Sequence, residues 1–154
     1  MDDPTEGRLA TLSVFTVFVD AVQSLGKMAA GERRVVPITG GEAQGVLAGR
    51  IRPGGADWQW VRADGITEIR AQYVVDTHDG GCVEVESSGL RHGPPDVMAR
   101  LARGEPVDPA AYYFRTAITL RTAHAPLSRL NGVLAIGVGE RRADRVLLTV
   151  QEVR

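Results

Sequence analysis

The chain has 154 residues, 44% of them hydrophobic and 24% charged, with 18 basic against 19 acidic side chains and a net charge of −1. That length and balance predict one domain with its own core, and the lack of a basic field argues against nucleic acid as a partner. One cysteine, Cys82, excludes an internal disulfide and a multi-cysteine zinc site, and suits a reducing, cytoplasmic setting.

The acidic start and the interruption of the first apolar run by Ser13, Thr16 and Asp20 predict neither a signal peptide nor a membrane span. Residues 1–8 read as a loose terminus. Leu12 to Val19, rich in valine, phenylalanine and threonine, reads as a strand. Val22 to Ala30 reads as a loop or helical turn. Glu32 to Thr39 reads as a strand that ends in a turn at Gly40-Gly41, and Gln44 to Ile51 as another, with Gly45 and Gly49 marking bends.

Six glycines and two tryptophans lie between Gly40 and Trp60. That mixture suits a loop at the mouth of a barrel or cleft, presenting Asp57, Trp58 and Trp60. From Ile66 to Asp76 the pattern has period two, with Ile69, Ala71, Tyr73 and Val75 on one face. Asp79-Gly80-Gly81 then turns the chain into Cys82 to Ser87, which predicts a hairpin.

Pro94-Pro95, Asp96, Arg100, Arg103 and Gly104 are helix start and stop signals. They predict one short helix near residues 95–103 that covers one end of the fold. Tyr112 to Thr122, Val133 to Gly139 and Arg145 to Val153 complete the strands. The expected class is all-β, an antiparallel barrel or sandwich.

The segments GGEAQGVLAGRIRPGGADW, RADGITEIRAQYVVDTHDGG, GEPVDPAAYYFRT and RLNGVL…GVGERR together resemble the domain-of-unknown-function family 3237, from about Leu12 to Val153. The resemblance implies a single antiparallel β-barrel of the calycin or lipocalin-like kind, often dimeric, so a homodimer is expected. Relatives in small-molecule pathways imply a ligand or a simple ring-forming or isomerising reaction. It also implies a pocket rim near Asn131, where Arg129 stands in place of the usual aromatic two residues earlier.

Several residues are candidates for a site. Asp57, beside an indole, suits general acid or base work if desolvated, or else hydrogen-bonds loop amides. Trp58 and Trp60 share one face of an extended segment and floor a pocket or fill the core. Arg115 shares a face with Tyr113 and is part of the resemblance; it can clamp a carboxylate or enolate oxygen, or form a surface ion pair. Tyr73 can donate to an oxyanion, or be a satisfied core tyrosine. His78, His92 and His124 have no metal-ligand spacing, and neither a phosphate loop nor a G-x-S-x-G elbow occurs, so no metal or cofactor is expected. Cys82 reads as a packed, inert thiol.

Three functions stay open. One is a cofactor-independent enzyme that moves a proton on a carbonyl-bearing or aromatic metabolite, with Asp57, Arg115 and Tyr73 catalytic and Trp58, Trp60, Tyr113 and Asn131 around the ligand. Another is a carrier of an apolar small molecule. The third is a dimeric barrel filled by its own side chains.

Overall fold

The computed structural model describes residues 3–154. Its strands are β1 (Leu9–Val19), β2 (Gln23–Met28), β3 (Gly31–Gly45), β4 (Gly49–Ile51), β5 (Ala56–Val61), β6 (Thr67–Thr77) and β7 (Cys82–His92), then β8 (Tyr113–Thr122), β9 (Leu134–Arg141) and β10 (Arg145–Val153). Helix α1 (Pro95–Ala102) follows β7, and 3-10 segments cover Pro109–Ala111 and Ala125–Gly132. All strand pairs are antiparallel, and β1 joins β10 on one side and β3 on the other, which closes the ring.

β4 and β5 act as one strand in two pieces. Both lie between β3 and β6, divided by Pro53-Gly54-Gly55. Counting them once gives the expected barrel, eight strands around, with β2 extending the edge of β3. At the break the backbone still bonds sideways, from Ile38 N–H to Gly55 O at 2.8 Å and from Arg52 N–H to Val74 O at 2.8 Å. A Cβ on Gly55 would lie 2.6 Å from Gln72 O, so only glycine permits this crossing.

The hairpin of β6 and β7 forms as its alternation and Asp-Gly-Gly turn predict, and so does the β9–β10 pair. Helix α1 also falls in its expected place, with Val97, Met98 and Leu101 against Ile69, Tyr112 and Phe114. Three local expectations are corrected. Gly40-Gly41 is a bend inside β3, with φ of 149° and 147°, where the strand passes from β5 to β4 on one edge while β1 runs along the other. The segment Gln44 to Ile51 is the end of β3, a turn at Gly45 and then β4. Val22 to Ala30 contains β2, which hydrogen-bonded pairing with β3 holds extended despite its exposure. At the N-terminal end the ladder reaches further than expected: Arg8 and Arg154 exchange both backbone bonds, at 3.0 and 2.8 Å.

Inward side chains divide the interior into three zones. Phe15, Leu47, Val75, Val83, Leu130 and Val150 form a dry apolar cluster, with Leu130 contributed by the second 3-10 segment. Ile69, Tyr112 and Phe114 form the smaller cluster under α1. Residues of both clusters line a mainly apolar cavity into which a few polar side chains converge. Among the described residues no helix is long and apolar enough to cross a membrane.

Candidate functional site

Period-two geometry decides what reaches this cavity. On β5, Asp57 and Gln59 point inward, and on β6 Tyr73 does so. β7 carries the inward phase Val83, Val85 and Ser87 on to Arg91, and β9 carries Ala135, Gly137 and Gly139 on to Arg141. The cavity has a volume of about 60 Å³, room for a few waters or a small ligand group. Val22, 43% exposed, lines it too, so the cavity reaches the surface beside β2.

The polar groups here are only partly satisfied. Asp57 accepts from Arg70 N–H at 3.0 Å and from Gln59 Nε2 at 2.6 Å. Four buried atoms have no hydrogen-bond partner among the described residues: Gln59 Oε1, the Tyr73 hydroxyl, Arg91 Nε and Arg141 Nη1. All four belong to residues that line this one cavity. The Arg91 and Arg141 charges act on Asp57 without a hydrogen bond to it. Ser87 and Thr116, also on the wall, satisfy each other at 2.8 Å. Unpaired buried polar atoms each cost about 1–3 kcal/mol, so their gathering at one place calls for an explanation.

Electrostatics follow from that burial. Desolvation pushes the Asp57 carboxyl above the usual range, against the pull of its two hydrogen bonds and of the Arg91 and Arg141 charges. Burial pushes the Tyr73 phenol up, and the neighbouring Asp57 charge adds to this. Burial pushes the Arg91 guanidinium down to about 10, which leaves it charged at neutral pH, and lowers Arg141 as well. Arg91 also lies over the Phe114 ring, 5.3 Å from its centroid. A poised carboxylate, a phenol donor and two cations around one small space can move a proton and stabilise the negative charge left behind.

Of the residues expected from the sequence, the cavity gathers Asp57 and Tyr73. It does not gather the others. Trp58 and Trp60 alternate with Asp57 and Gln59, so they face outward, and Arg33 stacks over both rings at 5.3 and 4.6 Å. Arg115 and Tyr113 share the outer face of β8, with the guanidinium 5.5 Å from the ring centroid and Nη1 donating to Phe114 O at 2.9 Å. Asp57 and Arg115 therefore do not face each other across one cavity. Asn131 ties the second 3-10 segment to β8, accepting from Thr122 N–H and donating to Thr122 O and Ser128 O. Cys82 is exposed at the start of β7, not packed. Among the described residues no group of three or more His, Cys, Asp or Glu could hold a metal ion.

The arginines Arg91 and Arg141 were not among the expected site residues, because the sequence reading ended their strands at Ser87 and Gly139. Extending the alternation by four and two residues reaches them. A wider concavity, about 810 Å³, lies outside the barrel near Trp58, Arg33, Glu84 and Glu86. Of its polar groups, Glu84 accepts from Gln72 and pairs with Arg121 beside it, and Arg33 stacks on the tryptophans, so it carries less chemistry than the smaller interior cavity.

Known proteins share this architecture. A UPF0311 protein of Rhodopseudomonas palustris is 41% identical over 148 residues, 94% of this chain and 97% of its own length, and one from Bradyrhizobium diazoefficiens is 39% identical over 147. The crystal structure of a conserved R. palustris protein of unknown function superposes with a TM-score of 0.90 at 38% identity, covering 100% of both chains. A beta-barrel like protein from Acinetobacter baumannii gives 0.85 at 35%, again covering 100% of both. An enzyme from Penicillium herquei gives 0.74 at 19% identity, covering 100% of this chain and 99% of its own, a likeness of fold alone. The model of the family described as protein of unknown function (DUF3237) matches residues 9–153, and with it the chain belongs to that family.

Proposed function

We propose that the barrel interior is a small-molecule site where Asp57 moves a proton on a carbonyl-bearing or aromatic metabolite without a cofactor. Tyr73, Arg91 and Arg141 would stabilise the developing oxyanion there. The observation that carries this reading is the convergence of four unpartnered buried polar atoms on a desolvated carboxylate. A barrel filled only for stability gains nothing from leaving these polar atoms idle. A calycin-like carrier of purely apolar cargo would not use them either, so catalysis is the favoured reading. That a barrel of this fold in Penicillium herquei is described as an enzyme is compatible with it.

The same reading takes the protein as cytoplasmic and homodimeric. The exposed thiol of Cys82 suits a reducing compartment. Exposed Leu90, Tyr113 and Leu134 on the outer wall suit cover by a second copy.

The experiment is thermal unfolding against small carbonyl and aromatic compounds, followed by NMR of each hit in D2O. A hit that stabilises the protein, and whose carbon-bound proton is exchanged by wild type but not by Asp57→Asn, supports the proposal. Hits that bind without exchange or conversion would make the barrel a carrier. If no compound binds, the small-molecule reading falls.

A further inference from the structure

The interior carries an imbalance of charge. Arg91 and Arg141 bring two positive charges to the cavity, and Asp57 is the one carboxylate among its lining residues. Asp57 is already engaged by Gln59 and by the Arg70 amide, and it makes no hydrogen bond with either arginine. The other carboxylate acting on Arg141, that of Asp144, is held by Arg145 through bonds of 2.9 and 3.1 Å. Glu140, next to Arg141 in sequence, is on the opposite strand face and pairs with Arg142 at 3.4 Å.

Two guanidiniums, each with a buried nitrogen that lacks a partner, are thus held in a confined space with one positive charge in excess. Unpaired charge in such surroundings is costly, and a guanidinium is shaped to receive two oxygens at once. We infer that Arg91 and Arg141 form an anion subsite, and that the ligand of this barrel is a small organic carboxylate. Arg91 Nε and Arg141 Nη1 are buried cationic donors without acceptors among the described residues, and one carboxylate has the oxygens to accept from both. Apolar wall residues such as Val19, Val36 and Ile69 then border the organic part, which leads out past Val22. The Tyr73 hydroxyl and Gln59 Oε1 are left for a second polar group on the ligand.

This rests on the reading of the interior as a ligand site, and it adds the class of ligand. The test uses matched pairs that differ in charge alone: benzoate against benzamide, and phenylacetate against phenylacetamide. Binding is measured by calorimetry and thermal shift on the whole protein. Each carboxylate is expected to bind about tenfold or more tightly than its amide, with the difference lost in Arg91→Met and Arg141→Met. Arg91→Lys, which keeps the charge but not the fork, is expected to retain part of it.

Amides that bind as well as the acids, variants that bind benzoate undiminished, or no binding of either acid up to about 10 mM would each overturn the inference. The wild-type comparison of acid with amide decides even if a methionine variant does not fold. The outcomes also separate this inference from the proposed catalysis. Carboxylates that bind through the arginines while no substrate exchanges a proton leave the subsite standing without the reaction. Neutral ketones that exchange a proton through Asp57, while no carboxylate binds, leave the reaction standing without the subsite.

Discussion

The side-chain amide of Gln59 is bonded on one side only: Nε2 donates to Asp57 Oδ2 at 2.6 Å, while Oε1 has no partner. A half-turn of that amide would exchange donor for acceptor. An asparagine at position 57 could then keep its oxygen on the Arg70 N–H and donate its own amide to Gln59.

Asp57→Asn is therefore expected to fold normally and to lose about 10²- to 10⁴-fold in proton-transfer rate. Its stability should also depend on pH in a defined way. The folded carboxyl binds its proton more tightly than the unfolded one, whose value is near 3.8, so wild type loses stability as pH rises from there through the raised folded value. Urea unfolding of both proteins should agree near pH 3 and show the variant at least as stable at pH 7. A variant clearly weaker at pH 7 would mean that the carboxylate is structural.

Tyr73→Phe removes a hydroxyl that is sealed from solvent without a partner. Stability is expected to hold or to rise by about 1 kcal/mol, while binding and turnover fall. Denaturant midpoints and ligand titration check the two halves separately. A loss of more than about 1 kcal/mol would show that the phenol already has a structural partner.

Glu152, buried at the end of β10, accepts from Arg129 at 2.8 Å and from Arg154 at 2.7 Å, and those bonds hold its carboxyl below the usual range. A depressed value adds stability above the unfolded value of 4.5, and that stability disappears as pH falls through the folded one. Glu152→Gln should melt lower than wild type at pH 7, with the gap closing in acid. A gap that does not change with pH would assign the loss to packing.

Gly139 faces Phe114, and a Cβ there would lie 2.7 Å from the ring. Gly139→Ala should cost about 1–3 kcal/mol through overpacking next to Arg141, read as a lower urea midpoint at unchanged slope. Gly132→Ala, with nothing within 4 Å, is the control and should stay within about 0.5 kcal/mol.

The barrel was legible in the sequence because antiparallel strands with one wet face print their alternation directly. Ile69 to Val75 on β6 and Phe114 to Leu120 on β8 show it. The same alternation identified Tyr73 as inward. It was less clear where an inward position is polar, since Arg91 and Arg141 look like surface arginines until their strands are followed to the end. Trp58 and Trp60 drew attention by size, yet it is the small polar residues between and before them that face the interior. Glycine was ambiguous too. Gly40-Gly41 reads as a turn but lies inside β3, where the strand passes from β5 to β4 along one edge, a demand set by distant strands and invisible to any local window.

The double allegiance of β1 also bears on how the chain folds. β1 is the keystone between β3 and β10, and its partner β10 lies almost the whole chain away in sequence. The β6–β7 hairpin can form from local contacts alone, but the ring cannot close until the last strand arrives. During synthesis one flank of β1 is therefore an open edge with unpaired backbone, ready to template a neighbour's strand. Slow closure and a passing vulnerability to aggregation are the kinetic consequences of joining first strand to last.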